Sequence, residues 1–267
     1  MERETNGFGP NGGHPVKDEI GKTFWDDQAE KHGTSDVATA PDHYYRILEI
    51  EKIKGHLRGP NVLDVGCGNG YSTLQFKEAN PDWDFTGLDF SEKMIQQAVA
   101  ADTEKQVNFI VGDVRRVNID PFDCIVSERC LINLKTWEEQ QKALLNLKDS
   151  LKPGGRIILV ENFMDGLKNL NALRASFDLH EIDVRWHNRY LEAEEFYAFA
   201  EEHFHIKFAE NIGNLYYIIS RVVYAAIAKL GGGEPVYDHP INQIAAGFPA
   251  LGNYNFSPNM LFVLEAK

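Results

Sequence analysis

Residues 61–70 read Asn-Val-Leu-Asp-Val-Gly-Cys-Gly-Asn-Gly, an apolar run that stops at Asp64 and then turns through Gly66, Gly68 and Gly70. A buried strand followed at once by such a turn leaves its main chain bare, so a flat ligand can lie against the backbone where any Cβ would collide with it. The spacing narrows the ligand. Dinucleotide sites space their glycines as G-x-G-x-x-G, which brings a pyrophosphate onto a helix N-terminus; here the pattern is G-x-G-x-G with an acid two residues ahead. A pyrophosphate would be repelled by Asp64, whereas a ligand carrying an ammonium and a sulfonium is attracted to it.

With Asp64, Gly66, Gly68 and Gly70 in place, the segment resembles motif I of the class I S-adenosylmethionine (SAM) dependent methyltransferases, (D/E)-x-G-x-G-x-G. The resemblance continues in order along the chain. Phe85-Thr-Gly-Leu-Asp89-Phe90-Ser91 is similar to the family's second strand, whose acid takes both ribose hydroxyls, and residues 107–114, with Asp113, to the third, whose acid meets the adenine amine. Residues 122–128 resemble the fourth strand, and the Pro-Gly-Gly turn before residues 156–161 resembles the entry to the fifth. Singly these are ordinary features: a tight βα connection, a capping acid, a strand end, a turn. Their shared order is what carries weight.

The resemblance implies an α/β, Rossmann-like fold: a mostly parallel seven-stranded sheet with an antiparallel last strand and helices on both faces. It implies SAM as the cofactor, held by Asp64, Gly66, Cys67, Gly68, Gly70, Asp89, Phe90, Asp113, Val114 and Glu128. Within the family the chain is most similar to small-molecule methyltransferases that act on saccharides or secondary metabolites. Glu128-Arg-Cys-Leu-Ile-Asn-Leu, Arg185-Trp-His-Asn-Arg-Tyr190 and Tyr237-Asp-His-Pro-Ile-Asn carry that likeness.

The chain of 267 residues, 43% of them hydrophobic, suits one enlarged α/β domain with a sizeable core. Its 40 acidic and 27 basic side chains leave a formal charge of −13, so nucleic acid is disfavoured as a partner. Motifs agree: after the fourth strand there is neither the (D/N/S)-P-P-(Y/F/W) of DNA amino-methyltransferases nor a Pro-Cys nucleophile, and no acid-rich metal site is seen. Cys67, Cys124 and Cys130 show no C-x-x-C spacing or disulfide framework, and read as reduced core or turn residues. Residues 1–22 are expected to be a flexible tail without leader character, which places the enzyme in the cytoplasm with no membrane partner.

Residues 23–267 are expected to form the methyltransferase domain, with cap helices over 23–58 and a substrate-side insertion at about 165–205 and 213–258. Helical spacing runs over residues 24–54 with a break at 33–41, and again over 138–151, 169–178 and 192–203; the sixth and seventh strands fall at 206–211 and 259–265. The apolar run 215–230 is too short and too charged for a membrane span and reads as a packed helix, a lid or the contact of a homodimer. Residues 235–258, rich in Pro, Gly and Asn, are expected to be a long ordered loop.

Methyl transfer from a sulfonium is an in-line displacement, which asks the protein to align the acceptor and, for a poor nucleophile, to supply a base. His187, His239 and Glu128 are the catalytic candidates, the histidines because imidazole titrates near neutral pH. Arg129, Asn162, Arg185, Tyr190 and Arg221 are the substrate candidates, and Arg189 is a further possible anion clamp. The expected activity is transfer to oxygen on a small polar acceptor, a saccharide or an anionic metabolite. Alternatives are transfer to nitrogen and SAM binding without catalysis.

Overall fold

Val62, Leu63 and Val65 are wholly buried, as befits a strand at the centre of a sheet covered on both faces. This strand, β1 (Asn61–Val65), is followed by β2 (Asp84–Asp89), β3 (Val107–Val111), β4 (Phe122–Glu128), β5 (Leu151–Asn162), β6 (Phe204–Asn211) and β7 (Asn259–Ala266). In the computed structural model, which describes residues 17–116, 119–248 and 254–267, they form one sheet in the order β3-β2-β1-β4-β5-β7-β6. The pairs from β3 through to β5 are parallel, and β7 lies antiparallel between β5 and β6.

Alternation along the strands splits the core in two. Leu63 and Val65 face a cluster with Leu144 and Leu147 of α5 (Trp137–Asp149) and Phe196 and Ala200 of α7 (Ala193–His203). Val62 faces the other side, with Phe76 of α3 (Tyr71–Ala79) and Ile50 and Ile53 of α2 (His43–Lys54). Helices therefore cover both faces. The chain leaves β1 toward β2 on one side and returns to β4 on the other, so a crevice opens beyond the carboxyl ends of β1 and β4, where ligands of such sheets bind.

Two additions close over that end. Helix α1 (Lys17–His32) packs Trp25 and Ala29 against Met94 of α4 (Glu92–Ala101), and Asp26 accepts a 2.6 Å hydrogen bond from Ser91, the residue that caps α4. The chain is thus helical from Lys17, five residues before the expected end of the tail, while residues 1–16 lie outside the described residues. The second addition is a continuous helical rod, α8 (Asn214–Tyr217), a π segment (Ile218–Val223) and α9 (Tyr224–Leu230), whose core residue Tyr216 packs on Tyr45 of α2.

Several expected boundaries move. Helix α5 stops at Asp149 because Leu151 already pairs with Phe122, and α6 is Met164–Ala175, displaced toward its N-terminus from the expected 169–178. The supposed loop 235–258 contains α10 (Pro240–Ala246), with Pro240 at its start and His239 as its cap. Within that loop, residues 249–253 lie outside the described residues. No helix among the described residues is long and apolar enough to cross a membrane.

Candidate active site

The turn after β1 is shaped by three left-handed glycines, with φ of 71° at Gly66, 55° at Gly68 and 78° at Gly70. A Cβ on Gly66 would lie 2.7 Å from the Cys130 sulfur, and one on Gly68 would lie 2.6 Å from the Thr39 methyl carbon. Gly66 and Gly68 line the first cavity with Asp64, Cys67, Asp89, Phe90, Asp113, Val114 and Glu128, which brings together all the expected cofactor residues but one. The exception is Gly70. It sits at the N-terminus of α3, packed against Phe109 and Ala98, and does not reach the cavity.

Asp89 fastens the turn through its own hydrogen bonds. Its two oxygens accept 2.9 Å bonds from the Gly68 and Ser91 amides, and each oxygen keeps lone-pair capacity for a hydroxyl. Burial raises its carboxyl to about 6 against the pull of those amides. Asp64 is likewise raised to about 7 by burial, although Thr73 donates to it at 2.6 Å. Two buried acids that are reluctant to ionise are suited to a cation, whose arrival repays the cost of their charge.

Asp113 lines the first cavity and is gripped by Arg115. Arg115 Nε lies 3.0 and 3.1 Å from its two oxygens and Nη2 2.8 Å from one of them, and although burial opposes ionisation this grip holds the carboxyl below its ordinary range. Any adenine amine would share that carboxylate with Arg115.

Glu128 ends β4 and meets a layer of buried charge. Ser72 donates to it at 2.7 Å and Arg129 lies 3.4 Å away; burial disfavours its charge, but Arg46 and Arg129 outweigh that and lower its pKa. With its charge held in this way, Glu128 is a poor proton acceptor. Arg129 adopts φ of 52°, uncommon for a residue with a side chain, and its guanidinium lies 3.0 Å from Glu49, whose carboxyl burial raises. The turn is held from below by Glu161. This fully buried acid accepts from the amides of Cys130, Leu131 and Ile132 at 3.0, 2.8 and 3.3 Å and from the Ser127 hydroxyl at 3.2 Å.

A second cavity adjoins the first, and Trp25, Thr39, Arg129 and Asn133 line both. It gathers Asn162, Arg185, His187, Tyr190 and Arg221 from three separate stretches of chain. His187 is 4% exposed, stacked 4.3 Å from the Phe24 ring, with its Nδ1 buried and unpartnered. Burial, and then the nearby positive charges of Arg185 and Lys135, lower it to about 4. His239 is not there: it lies exposed, stacked on Tyr224, with its Nδ1 accepting from the Ile241 amide, outside both cavities. Arg189 is also diverted, to Gln140 and Glu195.

Arg46 was not among the sequence candidates. It lies in the first cavity, 5% exposed, donating to Thr39 and, at 3.0 Å, to Ser72. Arg46 and Glu49 share the helical stripe of Ile50 and Ile53, and charged residues on an otherwise apolar face were the available signal. The residues of the first cavity fit SAM: Asp89 for the ribose, Asp64 on the cationic end, Arg46 toward the amino-acid carboxylate, and bare backbone at Gly66 and Gly68.

Comparison with known proteins agrees with this geometry. Residues 62–155 match the family described as "Methyltransferase domain". The chain is 30% identical over 166 residues to an O-methyltransferase of Aspergillus nomiae, covering 60% of this chain and 70% of that protein. It is 32% identical over 117 residues to a malonyl-[acyl-carrier protein] O-methyltransferase of Bacillus cereus, covering 43% of this chain and only 41% of that relative's length. Among solved structures, a putative methyltransferase from Haloferax volcanii, in complex with its Trm112 activator, aligns with TM-score 0.60 and 18% identity over 91% of this chain and 97% of that one. The N-methyltransferase NodS of Bradyrhizobium japonicum, with bound S-adenosyl-L-homocysteine (SAH), aligns with TM-score 0.55 and 13% identity over 91% and 98%. The chain belongs to the class I SAM-dependent methyltransferases.

Proposed function

We propose that this methyltransferase moves the methyl group of SAM to an oxygen of a small polar acceptor, a saccharide or an anionic metabolite, seated in the second cavity. The observation that carries this reading is the meeting of the two cavities at Trp25, Thr39, Arg129 and Asn133, the place where a donor and an acceptor can face each other. When bound, SAM supplies an electrophilic methyl on a sulfonium. The chain's own work is then alignment and exclusion of water. Trp25 and the α1 helix cover the junction, Arg129 is locked there by Glu49 and Glu128, and Tyr190 and Asn162 offer polar groups to the acceptor.

A general base is not part of this proposal. An imidazole lowered to about 4 is neutral at physiological pH and is too weak a base to deprotonate an alcohol, so His187 serves as a polar wall. Work in the cytoplasm, on a small molecule and away from nucleic acid, fits the acidic charge of the chain. The test is incubation with methyl-labelled SAM and a protein-free metabolite extract. Label should appear in a small molecule, with SAH as co-product. SAM binding without transfer to any acceptor would refute catalysis, and label on nitrogen would refute transfer to oxygen.

A further inference from the structure

The cations around the second cavity differ in how far they are already spoken for. Arg221 is paired with Asp42, and Arg129 with Glu49 and Glu128. Among the described residues lining this cavity, Arg185 alone of the arginines has no side-chain hydrogen bond or ion pair; its carbonyl accepts from the Asn188 amide. It lies exposed at the rim, two residues from the buried His187 and in the same irregular segment as Tyr190. A guanidinium in that position offers a planar fork for two oxygens and one positive charge to be matched.

Among the described residues, the rest of the lining presents no free proton acceptor inside the cavity. Asp42 is occupied by Arg221 and by the Tyr216 hydroxyl at 2.6 Å, Asp183 stands exposed at the rim, and His187 is buried beside positive charge. A cavity with an unsatisfied cation and no base suits a nucleophile that arrives already ionised. A carboxylate meets both conditions with a single negative charge, whereas a phosphate monoester would bring nearly two.

We propose that the acceptor is a monocarboxylic acid, bound as its anion by Arg185, and that the product is a methyl ester. This deepens the reading of the second cavity as the acceptor site and rests on it. A carboxylate oxygen forms the new bond to the methyl carbon as the carbon–sulfur bond breaks, the bonding pair stays on sulfur, and the opposite charges of carboxylate and sulfonium cancel. No proton moves.

The ester linkage can be read without knowing the acid. After incubation with methyl-labelled SAM and a protein-free metabolite extract, mild alkali should release the label as volatile methanol. Ethers, N-methyl products and phosphate methyl esters would keep it. Base-stable label would overturn the carboxylate assignment while leaving the transferase reading intact; no transfer at all would overturn both. The parent acid of the labelled ester then serves as the ligand for calorimetry on the SAH-loaded protein. Arg185→Met should weaken it roughly ten- to a hundredfold, with Arg185→Lys in between and SAH affinity unchanged. Equal affinity of the acid for wild type and Arg185→Met would remove Arg185 from the site. The Arg185 guanidinium has no partner among the described residues, and its backbone bond to Asn188 survives the substitution, so the variant tests binding rather than folding.

Discussion

Replacing Asp89 with alanine separates the two tasks that this carboxylate performs. In the fold it accepts from the Gly68 and Ser91 amides, and in the variant those donors would be left buried and unpaired. At about 1–3 kcal/mol each, with relaxation recovering part, the loss of folding stability should be about 2–4 kcal/mol. With SAM bound, the ribose hydroxyls lose a charged acceptor as well, which should weaken binding by about 1.5–3 kcal/mol, or roughly ten- to 150-fold. Calorimetric titration at pH 8 measures the second quantity and denaturant unfolding the first. Because burial raises Asp89 to about 6, the wild-type carboxyl is largely protonated at pH 5, and the affinity gap between wild type and variant should narrow there. A folded variant that binds SAM within threefold of wild type at pH 8 would refute this use of Asp89.

Gly68→Val should abolish SAM binding, through its left-handed φ and because its side chain would strike Thr39 as well as fill the cradle; normal calorimetric affinity would refute it. The pH dependence follows from Asp64 and Asp89, whose folded values are raised from 3.8 to about 7 and about 6. An acid raised on folding binds more protons in the folded state, so the empty protein loses stability as pH rises from about 4 to 7. A bound cation favours the ionised acids, so SAM should release protons between pH 5.5 and 7, seen in buffers of differing ionisation enthalpy, and should raise Tm more at pH 8 than at pH 5.5; pH-independent stabilisation would contradict this. His239→Ala should leave turnover and SAM affinity intact, since that side chain lies outside both cavities, while His187→Ala should raise KM for the acceptor; the opposite pattern in steady-state kinetics would exchange their roles.

The sheet was readable because its evidence is local. The acids near the ends of β1 and β2, Asp64 and Asp89, and the glycines after β1 are short patterns whose geometry is set by neighbours in sequence, while the antiparallel last strand, which pairs with distant β5 and β6, was implied by the family resemblance. Gly70 matched the motif for a different physical reason: it must be glycine to start α3 between Phe109 and Ala98, not to face the ligand. The acceptor cavity was legible only as a set of residue types. Arg185, Arg189 and Arg221 look alike along the chain, and what separates them is pairing across long stretches, Arg221 with Asp42 and Arg189 with Gln140. Glu161 shows the same limit. It looked like the end of a strand, yet it anchors the amides of the turn that presents Arg129 and Cys130, because the chain brings β4 and β5 side by side.

The central claim is that one cavity holds the cofactor and the adjoining one the acceptor, with the reactive sulfur at their junction. A crystal structure with SAH bound tests it most directly. The account predicts ribose hydroxyls on Asp89, the amino-acid carboxylate toward Arg46, and the sulfur open toward Trp25, Arg129 and Asn133. A nucleoside lying elsewhere, or a sulfur turned away from the cavity of Asn162, Arg185 and Tyr190, would contradict it.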